Sequence, residues 1–335
     1  MKILTLAFLL LALSNYAFAK NLKGQGINFY IENDTRDLGG PGSDNAYSSG
    51  LKLSYISAEN DIPAWAQPFL DRSEKLRNAL KDSESNFGIS IGHQIYTPND
   101  IRTTNLIADD RPYAAWLYLG MSAHFKSEVS SHSLELDVGI VGPEAQGEPV
   151  QNGYHKIIAK YPAEGWKNQL ATEPTLQLSY QQRARFLELK DGEKKYGDVI
   201  PFFGSSVGNV AIDAHIGGMV RLGTTLPDDF GSTRPSATDG DNFVKPIAAG
   251  YPDSSFYVFA SGRAIAVARN IFLDGNSFRD SHHVTKRVLV LETEFGYAAQ
   301  WKQWNLTWRF VTRSPEFRER NVVNSFASIS IAYAY

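Results

Sequence analysis

The chain has 335 residues, no cysteine and a formal net charge of −3 at pH 7. The absence of cysteine excludes a disulfide framework, and so small a net charge does not favour nucleic acid as a partner. A mean hydropathy of −0.28 excludes a helical membrane protein but suits a β-barrel, because barrel strands alternate apolar and polar residues.

The N-terminal residues 1–19 have the pattern of a secretory signal peptide. Lys2 supplies a positive charge, residues 3–13 are uncharged and apolar, and a small-large-small triplet ends at Ala19. This order predicts export and cleavage after Ala19, which leaves 20–335 as one domain. The alternative, a transmembrane anchor, is disfavoured because the apolar run is about half of the roughly 20 residues that a spanning helix needs.

Segments in which apolar and polar residues alternate recur along the rest of the chain. In the fifth of them, Leu134 and Leu136 alternate with Glu135 and Asp137. Each segment is close to the length that a tilted strand needs to cross a membrane. The twelve predicted strands are 25–33, 51–55, 87–96, 113–124, 133–141, 175–186, 198–207, 214–222, 256–268, 287–298, 301–312 and 325–335.

Two features favour a closed barrel over the alternative of a soluble β-sandwich. Glu135, Asp137, Glu292 and Glu294 fall on the polar phase of their segments, which suits a wet lumen and not a dry core. The last segment ends on the aromatic Tyr335, and such an edge would be exposed in a sandwich. We therefore predict an all-β fold, a transmembrane antiparallel β-barrel of about 12 strands in a bacterial outer membrane.

Three segments interrupt the strand pattern. Residues 63–82 predict an amphipathic helix, which a strand count from a periplasmic N-terminus places on the periplasmic side. Residues 151–160 predict a short helix within an extracellular loop, 142–170, and loops of this length often carry function. Residues 224–253 are rich in Pro, Asp, Gly and Ser, and three readings stay open: a long turn, an extra hairpin or local disorder.

A polar pair follows the first predicted strand. Asn33 and Asp34 are either an ordinary capped strand end or part of a calcium site, since Ca²⁺ takes carboxylate, amide and backbone oxygens. Pairing of the first two strands would bring Ser48 close to them. A single serine is usually structural, and the chain has no Gly-x-Ser-x-Gly elbow that would mark a hydrolase nucleophile.

Histidines occur in two of the predicted extracellular loops. His155 is a candidate general base, because histidine alone titrates near neutral pH without perturbation, and the alternative is a solvated loop residue. His282 and His283 are adjacent, and we interpret them as loop surface and not as metal ligands.

Charged residues precede the fourth predicted strand. Arg102 and the sequence Asp109-Asp110-Arg111 are either an ordinary charged loop or a binding surface for lipopolysaccharide phosphates. A guanidinium group on the outer face is well matched to phosphate oxygens.

Taken together, these residues resemble the outer-membrane lipid A 3′-O-deacylase (LpxR) family. The resemblance covers residues 26–180, beyond which only the strand pattern agrees. The segment 147–158 is the most specific part. The motifs occur in the family's order and are Glu32-Asn33-Asp34, Tyr47-Ser48-Ser49-Gly50, Gln94-Ile95-Tyr96-Thr97-Pro98, Asp110-Arg111-Pro112-Tyr113-Ala114, Val141-Gly142-Pro143-Glu144-Ala145 and Gly147-Glu148-Pro149-Val150-Gln151-Asn152-Gly153-Tyr154-His155-Lys156-Ile157-Ile158.

The resemblance implies a twelve-stranded barrel that hydrolyses an acyl ester of lipid A. By its pattern, Asn33 and Asp34 would hold Ca²⁺, Ser48 would complete the polar cluster, and His155 would activate a water. Gln151 and Tyr161 would support substrate binding, and Arg102 matches the family's basic residue in the second outer loop only loosely.

The partners implied are lipid A or lipopolysaccharide in the outer leaflet, and we expect a monomer. Three alternatives stay open: a non-catalytic barrel that binds lipopolysaccharide, a pore, and an esterase of the phospholipase A type.

Overall fold

The computed structural model describes residues 25–34, 46–61, 63, 83–231, 234 and 254–334. The predicted signal peptide and almost all of the predicted helix at 63–82 lie outside these residues, so both stay predictions.

Alternating sequence becomes strand throughout the described part of the chain, where thirteen strands form one antiparallel sheet. They are β1 (Gly26–Asn33), β2 (Ala46–Ile56), β3 (Glu84–Thr97), β4 (Ala114–Lys126), β5 (Ser130–Val141), β6 (Glu173–Ala184), β7 (Leu187–Asp191), β8 (Lys194–Gly208), β9 (Ala211–Gly223), β10 (Ser254–Asn270), β11 (Leu289–Trp301), β12 (Trp304–Arg313) and β13 (Asn324–Ala334).

The sheet closes on itself. β1 pairs with β13, and β8 pairs with β6 along one part of its length and with the short β7 along the other. β6 and β7 therefore occupy one position in the ring, which makes a closed barrel of twelve strands. All twelve predicted strands are present, although Tyr335, the end of the last one, lies outside the described residues; the break between β6 and β7 was not predicted.

Side chains alternate between the lumen and the outer wall, as the period of two requires. In β1, Asn28 and Glu32 are buried inside, whereas Phe29 and Ile31 are exposed outside. Glu135 lies in the lumen as predicted, and its carboxylate accepts a 2.6 Å hydrogen bond from Lys52 Nζ. Pairing of this kind makes buried charge tolerable inside the barrel.

Two short α-helices lie at the same end of the barrel. α1 (Gly147–Ile157) lies between β5 and β6, and α2 (Ile271–Asp274) lies between β10 and β11. We call this the α1 end. The predicted helix 151–160 is present, although it begins four residues earlier, after Gln146 in the left-handed region. No helix in the described residues is both long and apolar enough to cross a membrane.

The segment after β9 starts at the opposite end and enters the lumen. Phe230 is buried in a cluster with Phe202 and Tyr257. Arg234 is buried as well and donates a 2.7 Å hydrogen bond to Glu292 near the α1 end of β11. In its described residues, 224–231 and 234, this segment is therefore a turn that packs inside the barrel.

Candidate functional site

The first part of the candidate site lies where β1 and β2 meet at the α1 end. Asn33 is in the outward phase of β1, together with Phe29 and Ile31, and pairs with Ser49 on β2. Asp34 follows it and is buried, and its backbone N–H donates to the carbonyl of Ser48 at 3.4 Å. The strand pairing thus brings Asn33, Asp34 and Ser48 together, as the sequence predicted.

A β-bulge sets the position of Ser48. The register between β2 and β3 shifts between Tyr47 and Ser49, so Ser48 is the extra residue. Its hydroxyl shares a 2.6 Å hydrogen bond with the hydroxyl of Thr97, which is fully buried in the outward phase of β3. Bulges next to functional sites commonly redirect one side chain, and here the bulge turns Ser48 toward Thr97.

α1 brings the second part of the site onto the outer wall of β3 and β4. Its buried residues are Gly147, Gln151 and His155, a spacing of four that places them on one helix face. A Cβ at Gly147 would lie 2.3 Å from the Trp166 ring and 2.6 Å from Ala115. Only glycine permits this close approach between the start of the helix and the wall.

An apolar cluster holds the helical loop (142–172) in place. Tyr113 and Trp166 pack with ring centroids 5.1 Å apart, and His93 donates from Nε2 to the carbonyl of Ala145 at 2.8 Å. The buried members of the cluster are Ile95, Ile101, Tyr113, Ala115, Ala145, Ala163 and Trp166. The loop is thus a fixed part of the outer wall.

His155 is 2 % exposed, and the tautomer of its neutral ring follows from its hydrogen-bond partner. Nδ1 lies 2.6 Å from the backbone carbonyl of Tyr161, which can only accept, so Nδ1 carries the proton. In the neutral ring Nε2 is then the basic nitrogen. The arrangement gives a histidine held in one tautomer and buried against the barrel wall.

Two more contacts shape the helical loop. Gln151 Oε1 accepts from the indole Nε1 of Trp166 at 2.9 Å. The side chain of Asn152 accepts from the backbone N–H of Ala163 at 2.7 Å and donates to its carbonyl at 3.2 Å. These contacts tie α1 to the chain that returns toward β6, which also supplies the carbonyl of Tyr161.

The two other residues expected to bind substrate lie on the surface. The side chain of Tyr161 is 74 % exposed, so its backbone and not its ring contacts His155. Arg102 is exposed and lies 3.7 Å from Asp100 in a surface ion pair. Neither side chain is buried with His155 or with Asp34 and Ser48.

Arg111 lies inside the protein, in a buried ion pair, and not on the surface. It is fully buried and donates to Glu316 at 2.6 Å, and its guanidinium lies over the rings of Tyr96 and Phe317. Burial raises the pKa of Glu316, but Arg111 and Arg313 outweigh it and hold that pKa below its usual value of 4.5. A phosphate-binding role for this part of the charged sequence is therefore excluded.

His282 and His283 lie in a loop, as predicted. His282 Nε2 donates to the carbonyl of Asp110 at 2.7 Å, and His283 is exposed with Nδ1 3.0 Å from the carbonyl of Ser281.

The donor atoms around Asp34 suit a hard cation. Asn33, Asp34 and Ser48 offer amide, carboxylate and hydroxyl oxygens, the ligand types that Ca²⁺ prefers. Among the described residues, no group of three or more His, Cys, Asp or Glu is placed to hold a metal. Among these three residues, a cation would have the carboxylate of Asp34 and the neutral oxygens of Asn33 and Ser48 as ligands.

Sequence reasoning missed Thr97, Asn152 and Trp166. Thr97 lies in one of the motifs noted above, but only the bulge shows that it faces Ser48. Trp166 and Asn152 act through contacts between residues 15 and 11 positions apart within an irregular loop, where no periodicity marks a contact.

Comparison with known proteins gives one family. A family model described as outer membrane protein LpxR matches residues 4–335. The solved structure of LpxR from Salmonella typhimurium is similar, with a TM-score of 0.74 and 19% identity over 92% of this chain and 100% of that chain. The β domain of the Bordetella autotransporter BrkA has a TM-score of 0.43 and 12% identity over 94% of this chain and 99% of that one. No curated protein matches the sequence.

Proposed function

This chain belongs to the LpxR family of outer membrane proteins, and from that premise we propose that it is a lipid A deacylase that cleaves a 3′-O-acyloxyacyl ester. The observation that carries the proposal is the buried His155, held in one tautomer by Tyr161 on a helix that packs against the outer wall. A site on the outer wall is accessible to a lipid that stays in the outer leaflet.

His155 acts as the general base. Its Nδ1–H is held by the carbonyl of Tyr161, so Nε2 takes the proton of a water. The water oxygen bonds to the acyl carbon, and the bond between that carbon and the sugar oxygen breaks. The proton then passes from His155 to the leaving alkoxide, which restores the neutral ring. No acyl-enzyme forms on this route, and Ser48 serves as a polar neighbour bonded to Thr97.

Asn33 and Asp34 are the proposed ligands of Ca²⁺. When bound, the cation would polarise the ester carbonyl as a Lewis acid. The β1–β2 pairing and the hydrogen bond from Asp34 N–H to Ser48 O keep these oxygen donors together. Their oxygen-only chemistry supports Ca²⁺ over a soft metal.

Residues on and beside α1 would bind the substrate. Gln151 lies one turn before His155 on the same buried face, and Tyr161 is exposed beside the helix. Arg102 is an exposed cation at the same end, suited to a lipid A phosphate. The exposed Ile157 and Ile158 offer apolar surface for acyl chains.

The test is release of fatty acid from lipid A by the purified protein and its His155→Ala variant. We expect loss of release in His155→Ala. The matched control is His283→Ala, because His283 also bonds a backbone carbonyl through Nδ1 but lies exposed on a loop. Release by His155→Ala at the wild-type rate would refute the general base. Release from glycerophospholipids alone would favour the phospholipase alternative.

A further inference from the structure

The side-chain amide of Gln151 has a fixed orientation and an unused donor. Its Oε1 accepts from Trp166 Nε1 at 2.9 Å, and an indole N–H can only donate. The oxygen and not the nitrogen of the Gln151 amide must therefore face Trp166. The amide nitrogen, Nε2, is buried and has no hydrogen-bond partner within the described part of the chain.

A buried amide donor without a partner is unfavourable, so native proteins rarely keep one without a use. Gln151 and His155 are four residues apart on the buried face of α1, which makes their side chains neighbours along the helix. The unused donor thus lies beside the proposed general base, on the helix face that packs against the barrel wall.

We propose that Trp166 is a positioning residue that holds the Gln151 amide so that Nε2 donates to the carbonyl oxygen of the bound ester. This inference rests on the proposed function and adds a protein donor to the same ester carbonyl that the proposed cation would polarise. When water adds to the acyl carbon, the carbonyl electron pair moves to the oxygen, and Nε2–H stabilises that oxyanion. The pair returns as the bond to the alcohol oxygen breaks, so the Gln151 amide is unchanged.

Trp166 also packs in the apolar cluster of the helical loop, and the test must separate packing from positioning. Trp166→Phe keeps an aromatic ring but removes the indole N–H together with part of the ring volume, and the matched control loses the same volume. Gln151→Met keeps the length of the side chain and removes the donor. Trp116→Phe is the matched control, because Trp116 is equally buried and donates from Nε1 to Thr175 at 2.9 Å, but faces the lumen.

Steady-state hydrolysis of lipid A in detergent micelles is measured for each variant. We expect Gln151→Met to lower kcat by about 100-fold, the usual loss for one oxyanion donor, with KM within about twofold. Trp166→Phe should lower kcat roughly 10-fold, because the amide can then turn its oxygen toward the substrate. In the Gln151→Met background Trp166→Phe should have no further effect, and Trp116→Phe should behave as wild type. A further loss of kcat in that background, or a change confined to KM, would overturn the proposal.

A second measurement does not depend on activity. In ¹⁵N-tryptophan-labelled protein, the indole resonance of Trp166 is assigned by its disappearance in Trp166→Phe. We expect this resonance to shift in Gln151→Met, while that of Trp116 stays in place. An unshifted Trp166 resonance would refute the contact between Trp166 and Gln151. A wild-type protein that releases no acyl chain would refute the proposed function, and the spectrum would still test the contact.

Discussion

The buried ion pair between Arg111 and Glu316 gives a quantitative prediction about stability. Glu316 also accepts from Arg313 at 3.2 Å and from Asn324 at 2.8 Å, so one carboxylate connects β12, β13 and the loop before β4. Glu316→Gln keeps the shape but removes the charge. Arg111 is fully buried, and within the described part of the chain Glu316 is the one carboxylate that forms an ion pair with it, so its charge would lose its compensation.

Removing one partner of a buried pair usually costs about 3–5 kcal/mol, because the remaining charge stays out of water. We expect about 3 kcal/mol for Glu316→Gln, since the amide still accepts one hydrogen bond. The free energy of unfolding is measured by denaturant unfolding in lipid vesicles, with tryptophan fluorescence as the signal.

The control is Glu319→Gln in the same loop. Glu319 is exposed and accepts from the backbone N–H of Thr285 at 3.0 and 3.1 Å, so we expect a change below about 0.5 kcal/mol. The double variant Glu316→Gln/Arg111→Met should recover part of the loss, because both charges are then removed. Equal effects of Glu316→Gln and Glu319→Gln would refute the reasoning.

The same pair fixes the sign of the pH dependence. The pKa of Glu316 is lowered from 4.5, because Arg111 and Arg313 outweigh the effect of burial. A lowered pKa means that the stabilisation is fully present above the usual value and is lost as the pH falls through the lower, folded value. The stability gap between wild type and Glu316→Gln should therefore be constant from pH 7 to about 4.5 and shrink only below that.

Three further predictions follow from the site and the lumen. Gly147→Ala should lower the deacylation rate several-fold, because its Cβ would clash with Trp166 and Ala115. Gly153→Ala is the control and should leave the rate unchanged, because a Cβ at Gly153 has no atom within 4 Å. Equal rates for the two variants would contradict the close packing of α1. Asp34→Asn should weaken the activation of hydrolysis by added Ca²⁺ after EDTA treatment, and an unchanged calcium titration would exclude Asp34 as a ligand. Liposomes carrying the protein should not swell in small sugars, because Arg234 and Phe230 are buried inside the barrel, and swelling at a porin's rate would support the pore alternative.

The barrel itself could be predicted from the sequence because a period of two is a local signal. In β5, Leu134, Leu136 and Val138 lie on the outer wall and Glu135 and Asp137 lie in the lumen, so the alternation alone indicates the strand. The break between β6 and β7 escaped prediction. Arg185, at the break, contacts Asp228, 43 residues away in sequence, and a contact of that kind leaves no period in the local sequence.

The candidate site could be predicted only in part. Asn33, Asp34 and Ser48 follow from the pairing of consecutive strands, which is a short-range consequence of the fold. The bulge at Ser48 depends on its contact with Thr97, 49 residues away, and the burial of Arg111 depends on Glu316, 205 residues away. Such long-range pairings leave no periodic trace, so a charged loop residue and a buried ion pair look the same in sequence.

The central claim is tested most directly by mass spectrometry of lipid A from cells that express this chain in the outer membrane. Cells with wild type should lose one acyloxyacyl unit, and this loss should disappear with EDTA and with His155→Ala, but persist with His283→Ala. Unchanged lipid A in cells whose outer membrane contains the folded wild-type barrel would contradict the deacylase account.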